Sequence, residues 1–175
     1  MVRKINIYGN KILNIPCVPC LPKENISFLS EVEGNNNLWS DEVVELVQDL
    51  KDTAMSDSQN TLGLAAPQIW WKDTPCPAVF VLRLNIGTMD NPNYVYQELI
   101  NPLIKPSGQT VTIEEGCLSV PKYRKSCKRK INVTVTYQTL TSLEKITVKL
   151  FGKVDFNAIV IQHEYDHLLG KLIKK

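Results

Sequence analysis

Apolar and polar positions alternate strictly from 131 to 138. Ile131, Val133, Val135 and Tyr137 take turns with Asn132, Thr134, Thr136 and Gln138. Successive side chains on a strand point to opposite faces, so this pattern predicts a half-buried strand. After Thr141-Ser142 the alternation resumes at Ile146, Val148 and Leu150, which predicts an antiparallel hairpin. Residues 77 to 84 form a short, nearly continuous apolar run bounded by Pro77 and Asn85, the signature of a buried strand. Helical spacing appears twice. Val43, Val47, Leu50 and Ala54 share one face behind Ser40 as N-cap, with Asp41 and Glu42 at the positive end of the helix dipole. A second helix is predicted to start near Asp155. It carries Ala158, Ile159, Val160 and Ile161, is apolar nearly all round and therefore buried, and Gly170 can end it in a left-handed cap. Residues 1 to 37, with Pro16, Pro19, Pro22 and the run Asn35-Asn36-Asn37, predict irregular structure. The fold class is α+β, with antiparallel strands packed around a central buried C-terminal helix, in a single domain spanning 1–175.

Composition narrows the function without naming it. A chain of 175 residues can bury roughly two-thirds of its unfolded surface in one core. The net charge of +2 argues against a dedicated nucleic-acid binder. The densest basic run, Lys122 to Lys130, holds six Lys or Arg in nine residues and reads mainly as a solvated edge strand, with transient ribosome contact as a weaker reading. No apolar stretch approaches the ~20 residues of a membrane span. The start, Met1 to Tyr8, has no secretory-signal pattern, so a cytoplasmic protein is expected. The five cysteines cannot all pair internally. Cys17-Val18-Pro19-Cys20 lacks a second pair at metal-site spacing and reads as two incidental thiols, with Cys76 and Cys127 structural.

The sharpest chemical signal is His163-Glu164-Tyr165-Asp166-His167. Histidines four residues apart on a helix project from one face, where two imidazoles can converge on a metal and Glu164 can serve its water as general base. A catalytic site of this kind needs a third protein ligand. Downstream, Ile173 stands where the extended zinc-protease pattern has its third histidine, so the ligand must come from upstream. Cys117, in Glu115-Gly116-Cys117-Leu118-Ser119, is the candidate. Gln68 ends the small-residue segment Gly63-Leu64-Ala65-Ala66-Pro67-Gln68 with an uncharged amide suited to an oxyanion.

Taken together, these segments resemble peptide deformylase. That family is marked by Gly-x-Gly-Leu-Ala-Ala-Pro-Gln, Glu-Gly-Cys-Leu-Ser and Gln-His-Glu-x-x-His, in that order. Here they read Thr61 to Gln68, Glu115 to Ser119 and Gln162 to His167, with weaker similarity at Tyr8-Gly9-Asn10, Leu13 and Glu98 to Pro102. The resemblance implies one divalent metal held by Cys117, His163 and His167, with Fe(II) the physiological ion and nickel, cobalt or zinc able to substitute. It implies a substrate, the N-formylmethionyl end of a nascent peptide, hydrolysed to release formate. Metal-bound hydroxide would attack with Glu164 as base and acid, while Gln68 and the Leu118 backbone N–H hold the oxyanion. Ile159 would help line the methionine pocket, Gly63 would approach the peptide backbone and Arg124 would contact the peptide. Arg129 would pair with Asp166. Thr61, in place of the first motif glycine, bears on the local backbone path or the pocket rim. Trp70-Trp71 reads equally as a peptide-binding rim or as core. The competing classes are a metalloendopeptidase, disfavoured by the Cys117 motif, and a non-catalytic metal scaffold, disfavoured by retention of Glu164 and Gln68.

Overall fold

The computed structural model describes residues 1–23, 38–88, 90–150 and 156–174. The Asn35 to Asn37 run and the expected helix start at Asp155 lie outside the described residues. Helix α1 spans Asp41–Ser56, and Ser40 caps it by accepting from the Val43 N–H. The strands are β1 (Gly63–Ala65), β2 (Val79–Asn85), β3 (Tyr94–Gly116), β4 (Arg124–Thr139) and β5 (Ser142–Leu150). Helix α2 spans Phe156–Leu168. The strands form one antiparallel sheet in sequential order, β1-β2-β3-β4-β5.

Strand β2 explains the layering. Its alternate side chains face opposite ways. Val79 and Val81 join a core with Val47, Leu50 and Ile100, beneath α1. Phe80 and Leu82 join a second core with Leu99, Val133, Ala158 and Ile161, beneath α2. A strand buried on both faces has no polar side to alternate with, which is why 77–84 reads as an unbroken apolar run. The C-terminal helix is buried as expected, and the predicted helix α1 covers the sheet's other face.

The largest departure from the sequence expectation is β3, which continues through Pro102, Pro106 and Gly108. Register shifts between Ile100 and Leu103 and between Ser107 and Thr110 absorb these residues as bulges. Beyond Ile100 the strand has left its pairing with β2, so a proline there breaks no ladder on that side. The path matters because β3 ends at Gly116 and delivers Cys117 beneath α2.

Helix α2 ends as Gly170 predicts. Gly170 has φ of +68° and donates to His167 O, while Lys171 donates to Asp166 O, the paired bonds of a Schellman ending. A Cβ at Gly170 would sit 2.8 Å from the Asn14 backbone, so glycine is required there twice over.

Candidate active site

Residues 163 and 167 bring two imidazoles to one face of α2, with ring centroids 5.0 Å apart. Cys117 approaches from the end of β3, its Sγ 3.2 Å from His167 Nε2. The donor atoms of Cys117, His163 and His167 all lie within 4.8 Å of one another. One thiolate and two imidazoles suit a divalent transition metal.

The surrounding groups fit such an ion. Glu115 accepts from His163 Nδ1 at 2.9 Å, so Nε2 is the ring nitrogen that faces Cys117 and would coordinate an ion. Arg129 holds the Glu115 carboxylate through both oxygens, at 2.6 and 2.8 Å, and reaches Asp166 at 2.6 Å. The pairing of Arg129 with Asp166 is therefore present, and Glu115 links it to the histidine. Burial works against the charge on Glu115, but Arg129 and His163 outweigh it and hold the carboxyl down at about 2. Burial likewise opposes a charge on His163, yet hydrogen bonds to Cys117 and Glu115 push its pKa up to about 10. Burial, with the charges of His163 and Arg129, pushes His167 down to about 3.

Glu164 is almost fully buried, and its Oε2 has no hydrogen-bond partner. Burial lifts its pKa to about 7, against the opposing charge of His163. Such a carboxylate can change protonation near neutrality, as a general base and acid must. Gly63 makes room for it. A Cβ at Gly63 would come 2.7 Å from Glu164 Cγ and 2.9 Å from Val160 Cγ1. The sequence reading assigned Gly63 to peptide contact. Its observed packing adds a reason for glycine that the motif alone does not reveal.

Gln68 sits in a short 3-10 turn, Ala66–Gln68, immediately after β1. Its Oε1 accepts from the Ala65 N–H at 2.8 Å, and its Nε2 lies 3.7 Å from Cys117 Sγ and 3.3 Å from Ser119 Oγ. The carbonyl is occupied by backbone, so the NH2 end faces the cysteine. Gln68, Cys117, His163 and Glu164 border a cavity of about 610 Å³, whose walls also include Leu118, Arg124 and Ile159. Arg124 is exposed on the rim, and among the described residues its charge partner is Glu114 at 3.9 Å.

The structure decides two readings that the sequence leaves open or partial. Trp70 and Trp71 are not among the residues lining the cavity. Trp70 is buried and donates to Thr74 O, while the Arg3 guanidinium stacks 3.7 Å above the Trp71 ring. The basic run is only partly a solvated edge. Its first residues do lack β5, whose pairing begins at Val133, but Arg129 is drawn inward by two carboxylates. Thr61 lines the cavity, and the only positive-φ non-glycine residues among those described are Asn101 and Lys122. Threonine therefore fits at 61 without backbone strain, and the departure from the motif bears on the cavity wall. Glu115 is the residue that the sequence reading passed over. A carboxylate next to a ligand segment was the available signal, because a metal-binding imidazole needs an acceptor for its other nitrogen.

Comparison with known proteins agrees with this architecture. A sequence model of the polypeptide deformylase family matches residues 2–175. The peptide deformylase of Wolbachia pipientis wMel is 35% identical over 164 residues, covering 90% of this chain and 84% of the relative. That of Pseudothermotoga lettingae is 32% identical over 173 residues, covering 98% and 81%. Among solved structures, a Met-Ala-Ser-bound class I type b peptide deformylase from Acinetobacter baumannii superposes with a TM-score of 0.73 at 29% identity, covering 99% of this chain and 97% of that one. With a match along nearly its whole length and the same fold, the chain is an enzyme of the peptide deformylase family.

Proposed function

We propose that this protein removes the N-formyl group from formylmethionyl peptides by metal-dependent hydrolysis, with residues 1–175 as one catalytic domain. The observation that carries this reading is the buried Glu164 carboxylate, unpartnered at one oxygen, beside the converging donors of Cys117, His163 and His167. A divalent cation held by those three side chains would supply a Lewis acid that brings the pKa of a water near neutrality, and Fe(II) is the ion we assign. Every other role falls to the chain. Glu164 takes the proton of the attacking water and passes it to the leaving amine. The Gln68 NH2 group and the Leu118 N–H donate to the oxygen that gains charge. Gly63, on the outer strand of the sheet, offers its backbone to an extended peptide, as in strand addition. Ile159 lines the methionine pocket and Arg124 holds the peptide beyond it. The Acinetobacter neighbour carries Met-Ala-Ser, the peptide that deformylation of formyl-Met-Ala-Ser would leave. No helix among the described residues is long and apolar enough to cross a membrane. A cytoplasmic site of action on nascent chains is part of the same proposal.

The direct test is formate release from formyl-Met-Ala-Ser, set beside cleavage of an unformylated peptide. Formate without internal cleavage is expected, and internal cleavage without formate would favour an endopeptidase. Arg124→Ala should raise KM for the formylated tripeptide several-fold, with less change for formylmethionine alone, which lacks the distal contact. An equal rise for both substrates would remove Arg124 from that role.

The ligand set has its own test. Cys117→Ser replaces a soft donor with a hard one and should lower metal retention by at least about tenfold, while Cys17→Ser with Cys20→Ser should retain the ion. Metal content after gel filtration reads this without an activity assay. Loss of metal from the Cys17/Cys20 variant would overturn the assignment.

A further inference from the structure

Cysteines outside the candidate metal site come together near the C-terminal end of α2. Cys17 donates its backbone N–H to Leu168 O at 2.8 Å. The next residue, Val18, forms an isolated parallel bridge with Pro77. Val18 donates to Cys76 O at 2.9 Å, and Ala78 donates to Val18 O at 2.8 Å. In a parallel bridge, the residues preceding the bridged pair stand side by side, about 5 Å apart, with side chains toward the same face. Those residues are Cys17 and Cys76. The Cys76 thiol points to Pro77 O at 3.7 Å, and a backbone separation of about 5 Å from Cys17 lies within the span of a disulfide. Cys20 is held differently. Its backbone is fastened on both sides by Asn101, at 2.7 and 2.9 Å, and its thiol points to Ala78 O at 3.9 Å.

We propose that Cys17 and Cys76 form an oxidation site, converted by hydrogen peroxide to a disulfide that ties the N-terminal segment to the start of β2. Cys17 is half-buried and Cys76 fully buried, so Cys17 meets the oxidant first. The Cys17 thiolate attacks one peroxide oxygen, giving a sulfenic acid and a hydroxide that leaves as water. The Cys76 thiol then attacks the Cys17 sulfur, and the sulfenic oxygen departs with the Cys76 proton as a second water. Two thiols lose two electrons and two protons, and one peroxide becomes two waters. The neighbouring Cys17 side chain and burial both raise the Cys76 pKa, which leaves the more accessible Cys17 to react first. The cross-link closes a long loop of the unfolded chain and so favours the folded state. This site is independent of the proposed deformylation.

The experiment treats metal-loaded protein with hydrogen peroxide, blocks remaining thiols with iodoacetamide and maps the digest by mass spectrometry. A Cys17–Cys76 linked peptide pair lighter by two hydrogens is expected, with a Tm rise of roughly 5–15 °C that dithiothreitol reverses. Cys20→Ser should keep both signals, and Cys17→Ser should lose both. Because Cys76 is fully buried, Cys17→Ser is the decisive variant if Cys76→Ser does not fold. A Cys17–Cys20 link, over-oxidation of Cys17 without a cross-link, or a cross-linked sample of unchanged Tm would each overturn the proposal.

Discussion

Glu164→Gln is expected to lower formate release by at least about a thousandfold while leaving metal content near that of the wild type. Glutamine keeps the shape of the side chain, which matters because Cγ and Oε1 of Glu164 already fill the space beside Gly63. It removes the carboxylate that accepts a proton from water, and Glu164 is not one of the three clustered donors. The variant should therefore fold and load metal but fail at proton transfer. Stability should move the other way. An ionised carboxylate that is buried with an unpartnered oxygen costs folding free energy, so the Tm of Glu164→Gln at pH 8 should equal or exceed that of the wild type. Measuring formate release, metal content and Tm on one preparation separates these effects. Near-normal turnover in a metal-loaded variant would end the proposed role of Glu164.

Gln68→Leu should lower kcat by about a hundredfold or more, with KM changed little. The amide has two ends with different duties. Its oxygen serves the Ala65 N–H, and its NH2 group faces Cys117. Leucine of similar volume removes both contacts, so a loss of stability on the order of 1–3 kcal/mol is expected from the unpaired Ala65 N–H. That loss lowers the amount of folded enzyme and not its turnover, so kcat must be referred to folded, metal-loaded protein. A normal kcat with a raised KM would show that Gln68 binds substrate in its ground state and contributes no oxyanion donor.

The elements that were legible in the sequence are those whose burial follows one regular period. Helix α1 and the β4–β5 hairpin each carry such a pattern, β2 shows instead as an unbroken apolar run, and each is present. Strand β3 has none. Much of it is exposed, and Pro102, Pro106 and Gly108 look like breakers until bulges and a missing neighbour accommodate them. Strand β1 is only three residues long, too short for any period to show. In the site, the three clustered donors lie in motifs that can be read locally. The bond from Glu115 to His163 joins residues 48 apart in sequence and depends on how the sheet curls beneath α2. No local pattern encodes it. Trp70-Trp71 stayed open between rim and core because an aromatic pair fits either, and only the packing of α1 and the N-terminal segment against it decides for the second.

The position of β1 at the margin of the sheet bears on selectivity. Its three residues, at about 3.3 Å each, span only ~10 Å, so an incoming peptide could lie along it for about three residues before running out of partners. Main-chain hydrogen bonds are indifferent to side-chain identity. A catalyst that grips its substrate this way discriminates by the chemistry at the end of the chain and tolerates any side chains beyond it. Such breadth is demanded of an enzyme meeting every newly made protein. The same brevity leaves little template for another copy's strand, so an open margin that serves recognition carries a small risk of self-association.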